Sequence, residues 1–72
     1  LFLMDIHYTF HAEEQIYERK IEKVWVEETI KRPDITKHVG CKYCVTKKLN
    51  GLTLEVVYVR ERYINIITVY PL

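Results

Sequence analysis

Apolar residues recur at two different spacings along this chain, and the change from one to the other falls at Pro33-Asp34. Upstream, the spacing is that of helices; downstream, apolar and polar residues alternate as they do in strands. Met4–Tyr8 alternates briefly and is expected to form a first strand. Thr9 is placed to cap a helix over Phe10–Arg19, with Glu13 and Glu14 early, where the helix dipole favours acids. Ala12 and Ile16 share one face of this helix. Phe10 and Tyr17 make a second apolar line, and His11, Gln15 and Glu18 a polar stripe. No glycine closes the helix, so Lys20 has to take the left-handed closing position at some cost. A second helix is expected over Glu22–Arg32 and is ended by Pro33. Val26 and Ile30 form its core line. Val24 and Trp25 point away from that line and need either the first helix or a partner to cover them.

Beyond Pro33, Ile35–Val39 and Lys42–Leu49 read as strands joined by a turn at Gly40-Cys41. Leu49-Asn50-Gly51-Leu52 is the strongest local signal, because Asn-Gly between alternating strands suits a tight type I′ reversal. A two-residue turn there sets Leu49 opposite Leu52, Val45 opposite Val56 and Tyr43 opposite Tyr58. One face then carries Tyr43, Val45, Leu49, Leu52, Leu54, Val56 and Tyr58, the side expected under the helices. The other carries Lys42, Cys44, Thr46, Lys48, Thr53, Glu55, Val57 and Val59. Val56–Val59 is apolar on both faces, which places Leu52–Val59 inside the sheet. Arg60-Glu61-Arg62 forms the next tip, and Tyr63–Tyr70 returns as the last strand. Its apolar residues fall on both parities, as in a second central strand or a bulged one. The expected fold is α+β: β-α-α followed by an antiparallel meander, with two helices on one face of the sheet, in a single domain.

Composition agrees with a small packed domain. A chain of 72 residues buries only roughly 60% of its unfolded surface. A 49% hydrophobic content with two Gly and two Pro offsets that and argues against disorder. The net charge of +1 exerts no overall pull on nucleic acid or membrane, but its distribution is uneven. Residues 5–28 hold seven acids against three bases, whereas residues 31–48 hold six bases against Asp34 alone. Leu1–Met4 is too short for a signal peptide, and no apolar run approaches a membrane span. Two cysteines are too few for a disulfide framework, so a reducing cytoplasm is the expected setting.

His38, Cys41 and Cys44 offer ligand types for zinc, yet strand residues three apart point to opposite faces and no fourth ligand lies nearby. They read as ordinary strand residues, and no cofactor or metal is expected. His11 sits on the first helix turn, where a surface histidine commonly bonds a neighbouring carboxylate. Arg19, at the edge of the Ala12/Ile16 face, cannot shed its charge, and serves either as a clamp on backbone carbonyls or as a holder of phosphate or partner. At 100° per residue, His11 and Arg19 lie about 80° apart around the helix, so both can border one cleft. Tyrosines interleaved with cations suit RNA, whose bases stack on rings while ammonium and guanidinium groups hold phosphates. Lys42, Lys48, Arg60 and Arg62 are the residues placed for that work, and Val24 and Trp25 those placed for a protein partner.

Phe10-His11-Ala12, Glu18-Arg19, Ile21, Pro33-Asp34 and the ending Ile67-Thr68-Val69-Tyr70-Pro71 resemble a widespread bacterial and archaeal family of small uncharacterised domains. Members open on a His-Ala helix, continue through an Arg-Gly-Ile turn and a second helix closed by Asn-Pro, and end on a strand like Ile-Thr-Val-Tyr. This chain departs from the pattern with Lys20 in place of Gly, Glu22 in place of a Ser or Thr cap, and Arg32 in place of Asn. That family is distantly similar to the RelE, ParE and BrnT toxins. The resemblance implies a toxin-like domain of a toxin–antitoxin type system, an endoribonuclease that cleaves messenger RNA without metal and is neutralised by an antitoxin. Such cleavage needs a base for the 2′-hydroxyl, a cation for the phosphorane and an acid for the leaving oxygen. Only His11, as acid or base, and Arg19, as the phosphate-holding cation, match the motif. The rival expectation is a non-catalytic module that dimerises or binds a partner through Val24, Trp25 and the sheet edge.

Overall fold

The computed structural model describes residues 5–72. Among these residues, five strands form one mixed sheet in the order β1-β5-β4-β3-β2. In chain order these are β1 (Ile6–Tyr8), α1 (Phe10–Glu18), α2 (Lys23–Lys31), β2 (Ile35–Val39), β3 (Lys42–Leu49), β4 (Leu52–Arg60) and β5 (Ile64–Pro71). From β2 to β5 the chain is an antiparallel meander, while β1 returns parallel to β5 and makes the last strand interior. The expected strand Met4–Tyr8 is found at Ile6–Tyr8, and Met4 lies outside the described residues.

The pairing of β3 with β4 follows the alternation in the sequence, with Leu49 opposite Leu52, Val45 opposite Val56 and Tyr43 opposite Tyr58. The reversal itself differs from a type I′ turn. Gly51 takes a positive φ of 77°, but Asn50 does not, a combination that suits a type II turn, where glycine alone occupies the left-handed region and Asn escapes that cost.

β5 carries a bulge. Val57 pairs with Thr68 but Tyr58 with Ile66, so Ile67 is left over. The extra residue exchanges the two faces of the strand. Ile64 and Ile66 enter the core before it and Val69 after it, which accounts for apolar residues on both parities. Thr9 holds this place to α1. Its hydroxyl accepts from the Ala12 N–H at 3.2 Å and donates to the Ile67 carbonyl at 3.3 Å. Gln15 adds a second tie by accepting from the Val69 N–H at 2.9 Å.

Ala12, Ile16, Ile21, Val26 and Ile30 from the helical half join Val45, Leu54, Val56, Tyr58, Ile64, Ile66 and Val69 in one core. α1 rests on β5 and β1, and α2 on β4 and β3. The core face of β3 and β4 is therefore the one carrying Val45, Leu54, Val56 and Tyr58. On the opposite face of these two strands no residue is buried. Among the described residues, no helix is long and apolar enough to cross a membrane.

Lys20 closes α1 at a φ of 55°, in the left-handed region that β-carbon sterics disfavour. Replacing Lys20 with Gly is expected to stabilise the fold by about 1 kcal/mol, the relief of strain exceeding the entropy glycine adds to the unfolded chain. A urea midpoint unchanged or lowered in the Lys20→Gly protein would contradict this.

Candidate nucleic-acid interface

Register brings together three rings from three neighbouring strands. His38 pairs with Tyr43 across β2 and β3, and Tyr43 with Tyr58 across β3 and β4. Their side chains share the core face and stack. The His38 and Tyr43 rings are 4.0 Å apart at 10°, and the Tyr43 and Tyr58 rings 5.1 Å apart at 6°. Tyr58 is buried, Tyr43 half-buried and His38 exposed, so the stack runs from the core to the sheet edge and ends on an open imidazole face.

Cations collect at the same end. The Arg60 N–H donates to the Cys41 carbonyl at 3.1 Å, which draws the Gly40-Cys41 turn and the tip after β4 side by side. Arg60 lies two residues from Tyr58 along β4, on the same face, near enough to oppose the upward shift that burial gives the Tyr58 hydroxyl. Arg62 is in the tip, and Lys42 pairs with Val59 beside it, with its side chain on the opposite face. Of the sequence-derived RNA residues, Lys42, Arg60 and Arg62 thus share one end of the sheet. Lys48 is at the other end of β3, about 20 Å away at the usual rise per residue.

His11 and Arg19 stand at opposite ends of α1. His11 is exposed on the first turn, and Arg19 is exposed as the C-cap, its backbone N–H donating to the Gln15 and Tyr17 carbonyls. Eight residues of helix separate them by roughly 12 Å along the axis. An open depression of about 630 Å³ lies where α1 gives way to α2, lined by Glu13, Ile16, Tyr17, Glu18, Lys20, Ile21 and Glu22. Neither His11 nor Arg19 lines it, and its three carboxylates against one lysine repel phosphate. Val24 and Trp25 are 63% and 37% exposed on the first turn of α2.

A second polar group occupies the opposite face of the sheet. The Tyr70 hydroxyl donates to Glu55 Oε2 at 2.6 Å, and the Cys44 thiol donates to the same oxygen at 2.9 Å. These two bonds, Cys44 first, hold the Glu55 carboxyl below the usual carboxylate range, and the Lys37 charge adds to the effect. Burial, and then the bond to Glu55, push the Cys44 thiol up to about 11. The Tyr70 hydroxyl is raised chiefly by its bond to Glu55. Glu55 is thus kept charged, and Cys44 is kept a neutral thiol. His38 faces the core side while Cys44 faces away from it. Among the described residues, no three His, Cys, Asp or Glu side chains gather as a metal-binding cluster.

Sequence reasoning missed both groupings. The ring stack was within reach, since the two turns together fix His38 opposite Tyr43 opposite Tyr58. The pairing of Glu55 with Tyr70 depends on the bulge at Ile67, which the alternation left undecided. The family pattern described as a domain of unknown function (DUF4258) matches residues 8–71. No curated protein and no solved structure matches the chain.

Cys44 provides a direct test of the Glu55 cluster. With its thiol at about 11 instead of the ordinary 9.0, its thiolate population at pH 8 is about 100-fold below that of an ordinary cysteine. In a Cys41→Ser background, alkylation of Cys44 should be slow and should accelerate as the pH rises toward 11. Glu55→Gln should recover part of the rate and unfolding the remainder, because burial persists in the folded variant. Fast alkylation of Cys44 at pH 8 in the folded Cys41→Ser protein with Glu55 intact would contradict the arrangement.

Proposed function

The chain belongs to the DUF4258 family, a domain of unknown function, and we propose that this member is a toxin-like domain that acts on single-stranded RNA. The observation that carries the reading is the three-ring stack ending on the exposed His38, with Arg60 on the same face. A base laid on the imidazole extends the stack by one ring, and Arg60, Arg62 and Lys42 lie at the same end for its flanking phosphates. Every base has a π-face, so the platform selects unpaired strands over sequence.

The toxin part of the proposal draws on the order β-α-α followed by the meander, with both helices covering one face of the sheet in the RelE manner. Support comes from the single core that α1 and α2 share with Val45, Leu54, Val56 and Tyr58, while the opposite face of β3 and β4 contains no buried residue. On this reading the domain is an endoribonuclease for messenger RNA, restrained by an antitoxin. His11 moves the proton and Arg19 neutralises the phosphorane. Both side chains are exposed, and neither is bonded to another side chain among the described residues. The second reading is a non-catalytic module that docks a partner or a second copy through Val24 and Trp25, and the adjacent exposure of these two apolar side chains favours it.

Loss of the ring on which a base stacks costs about 1–3 kcal/mol, so His38→Ala should weaken binding of a short oligouridylate roughly 5- to 150-fold, and Tyr43→Ala, which removes only the support behind the imidazole, by less. Removing Lys42, Arg60 or Arg62 should lower the slope of log K against log salt by about 0.7 each. Fluorescence anisotropy across a salt series measures both, and unchanged affinity in the ring variants would refute the platform. For the catalytic part, His11→Ala and Arg19→Ala should abolish RNA cleavage and growth arrest while the far-ultraviolet circular dichroism stays that of the wild type. Retained arrest in both variants would remove these residues from catalysis.

A further inference from the structure

The ring stack ends on a strand that itself has an open side. β2 is an edge strand, at the end of the sheet opposite β1, and all five of its residues are exposed. Among the described residues its outward backbone groups face no neighbouring strand, which makes it a template for strand addition. Ile35, Lys37 and Val39 share the face away from the core, since Lys37 pairs with Cys44; Thr36 and His38 face the core side. Ile35 is 56% and Val39 79% exposed, so the edge presents an apolar, basic, apolar sequence along one side.

The charge in the middle decides what can pair there. A second copy laid antiparallel over the full strand puts Ile35 against Val39, but it also puts Lys37 directly against Lys37, a repulsive cross-strand pair. Glu55, two strands inward on the same face, is the carboxylate that feels the Lys37 charge, and the outer side of β2 supplies no acid of its own. Asp34, the one acid in residues 31–48, already accepts from the Lys48 N–H at 2.8 Å and lies 3.8 Å from the Lys47 ammonium. An acidic residue from another protein meets Lys37 favourably, and apolar residues two places to either side cover Ile35 and Val39.

We propose that β2 is the docking edge for an extended segment of a partner protein carrying an acidic residue between two apolar ones, and that docking there closes the RNA platform. The second half rests on the RNA reading given above. An added strand runs about 4.8 Å from β2, so its residue opposite His38 takes the outer side of the imidazole, where the base stacks. One site then has two exclusive occupants: a strand that satisfies the β2 backbone, or a nucleotide that extends the ring stack. Lys37 both opposes self-pairing and selects the partner.

The probe is the synthetic peptide Thr-Val-Thr-Glu-Thr-Val-Thr, with a Lys-for-Glu version as control, added to the full chain at about 1 mM. Two readouts are taken: hydrogen exchange at the amides of residues 35–39, and anisotropy of a labelled oligouridylate. The Glu peptide should slow exchange at residues 35–39 and weaken oligouridylate binding at least about 10-fold, and by linkage the RNA should weaken the peptide by the same factor. Lys37→Glu should reverse the preference between the two peptides by about fivefold each way. Protection elsewhere than residues 35–39, equal binding of both peptides, simultaneous binding of peptide and RNA, or a stable homodimer in light scattering would each overturn the proposal. If no oligouridylate binds but the Glu peptide still protects residues 35–39 selectively, the docking edge stands and the RNA reading falls.

Discussion

The structure depends on a single register, that between β3 and β4. Once the chain reverses at Asn50-Gly51, Leu54, Val56 and Tyr58 are committed to one face, together with Val45 and the half-buried Tyr43 of the neighbouring strand. A slip of one residue would turn Glu55 and Val57 inward and expose Leu54 and Val56, so the alternative pairings are strongly disfavoured. Both helices depend on that choice. α2 packs on β3 and β4 through Val26 and Ile30, and α1 packs on β5, which is itself aligned by β4. The ring stack is a further product of the same register, because Tyr43 meets Tyr58 only when Val45 meets Val56.

The bulge at Ile67 is the second constraint, and it acts in the opposite direction by breaking a register. Without it, continuing the pairing of Tyr58 with Ile66 would set Glu55 opposite Val69. With it, Val69 turns into the core opposite Val56, and Tyr70 comes opposite Glu55. One inserted residue therefore improves the core and assembles the Glu55, Tyr70 and Cys44 group on the other face. It lies where Thr9 starts α1, and the threonine hydroxyl bonds both the helix end and the Ile67 carbonyl. The strand irregularity and the helix cap are one local solution, in which the backbone groups freed by the bulge are taken up by the residue that opens the helix.

This explains which parts of the molecule were legible from the residues. The strands β2 to β5, the Asn50-Gly51 reversal and the Thr9 cap are local features, written in alternation and turn chemistry. Lys20 could be placed in the left-handed position because the helix had to end and no glycine was at hand; its φ of 55° is that position. The parallel pairing of β1 with β5 is not local. It joins residues near the two ends of the chain, Ile6 with Ile64 and Tyr8 with Ile66, and no turn between them announces it. The finer turn type also escaped, because Asn-Gly fits more than one reversal and only the φ of Asn50 distinguishes them. For the site, residue types were visible but their neighbours were not. His38 drew attention as a metal-ligand type, whereas its surroundings are the rings of Tyr43 and Tyr58.

Size connects the fold to its chemistry. A domain this small has a thin core, and it is filled with Val, Ile, Leu and Ala; Tyr58 is the one aromatic residue that enters it among the described residues. The other rings are left at the margins, where a flat apolar surface with a polar edge tolerates water. Phe10 and Tyr17 lie outside on α1 and Trp25 on α2, while Tyr43 and His38 continue the row from Tyr58 outward. A larger domain would cover such a row with another strand. Among the described residues the sheet ends at β2, so the open backbone edge and the open end of the ring stack coincide at His38. An added strand and a stacked ring would both take the outer side of the same imidazole, so whatever occupies one of these two places obstructs the other.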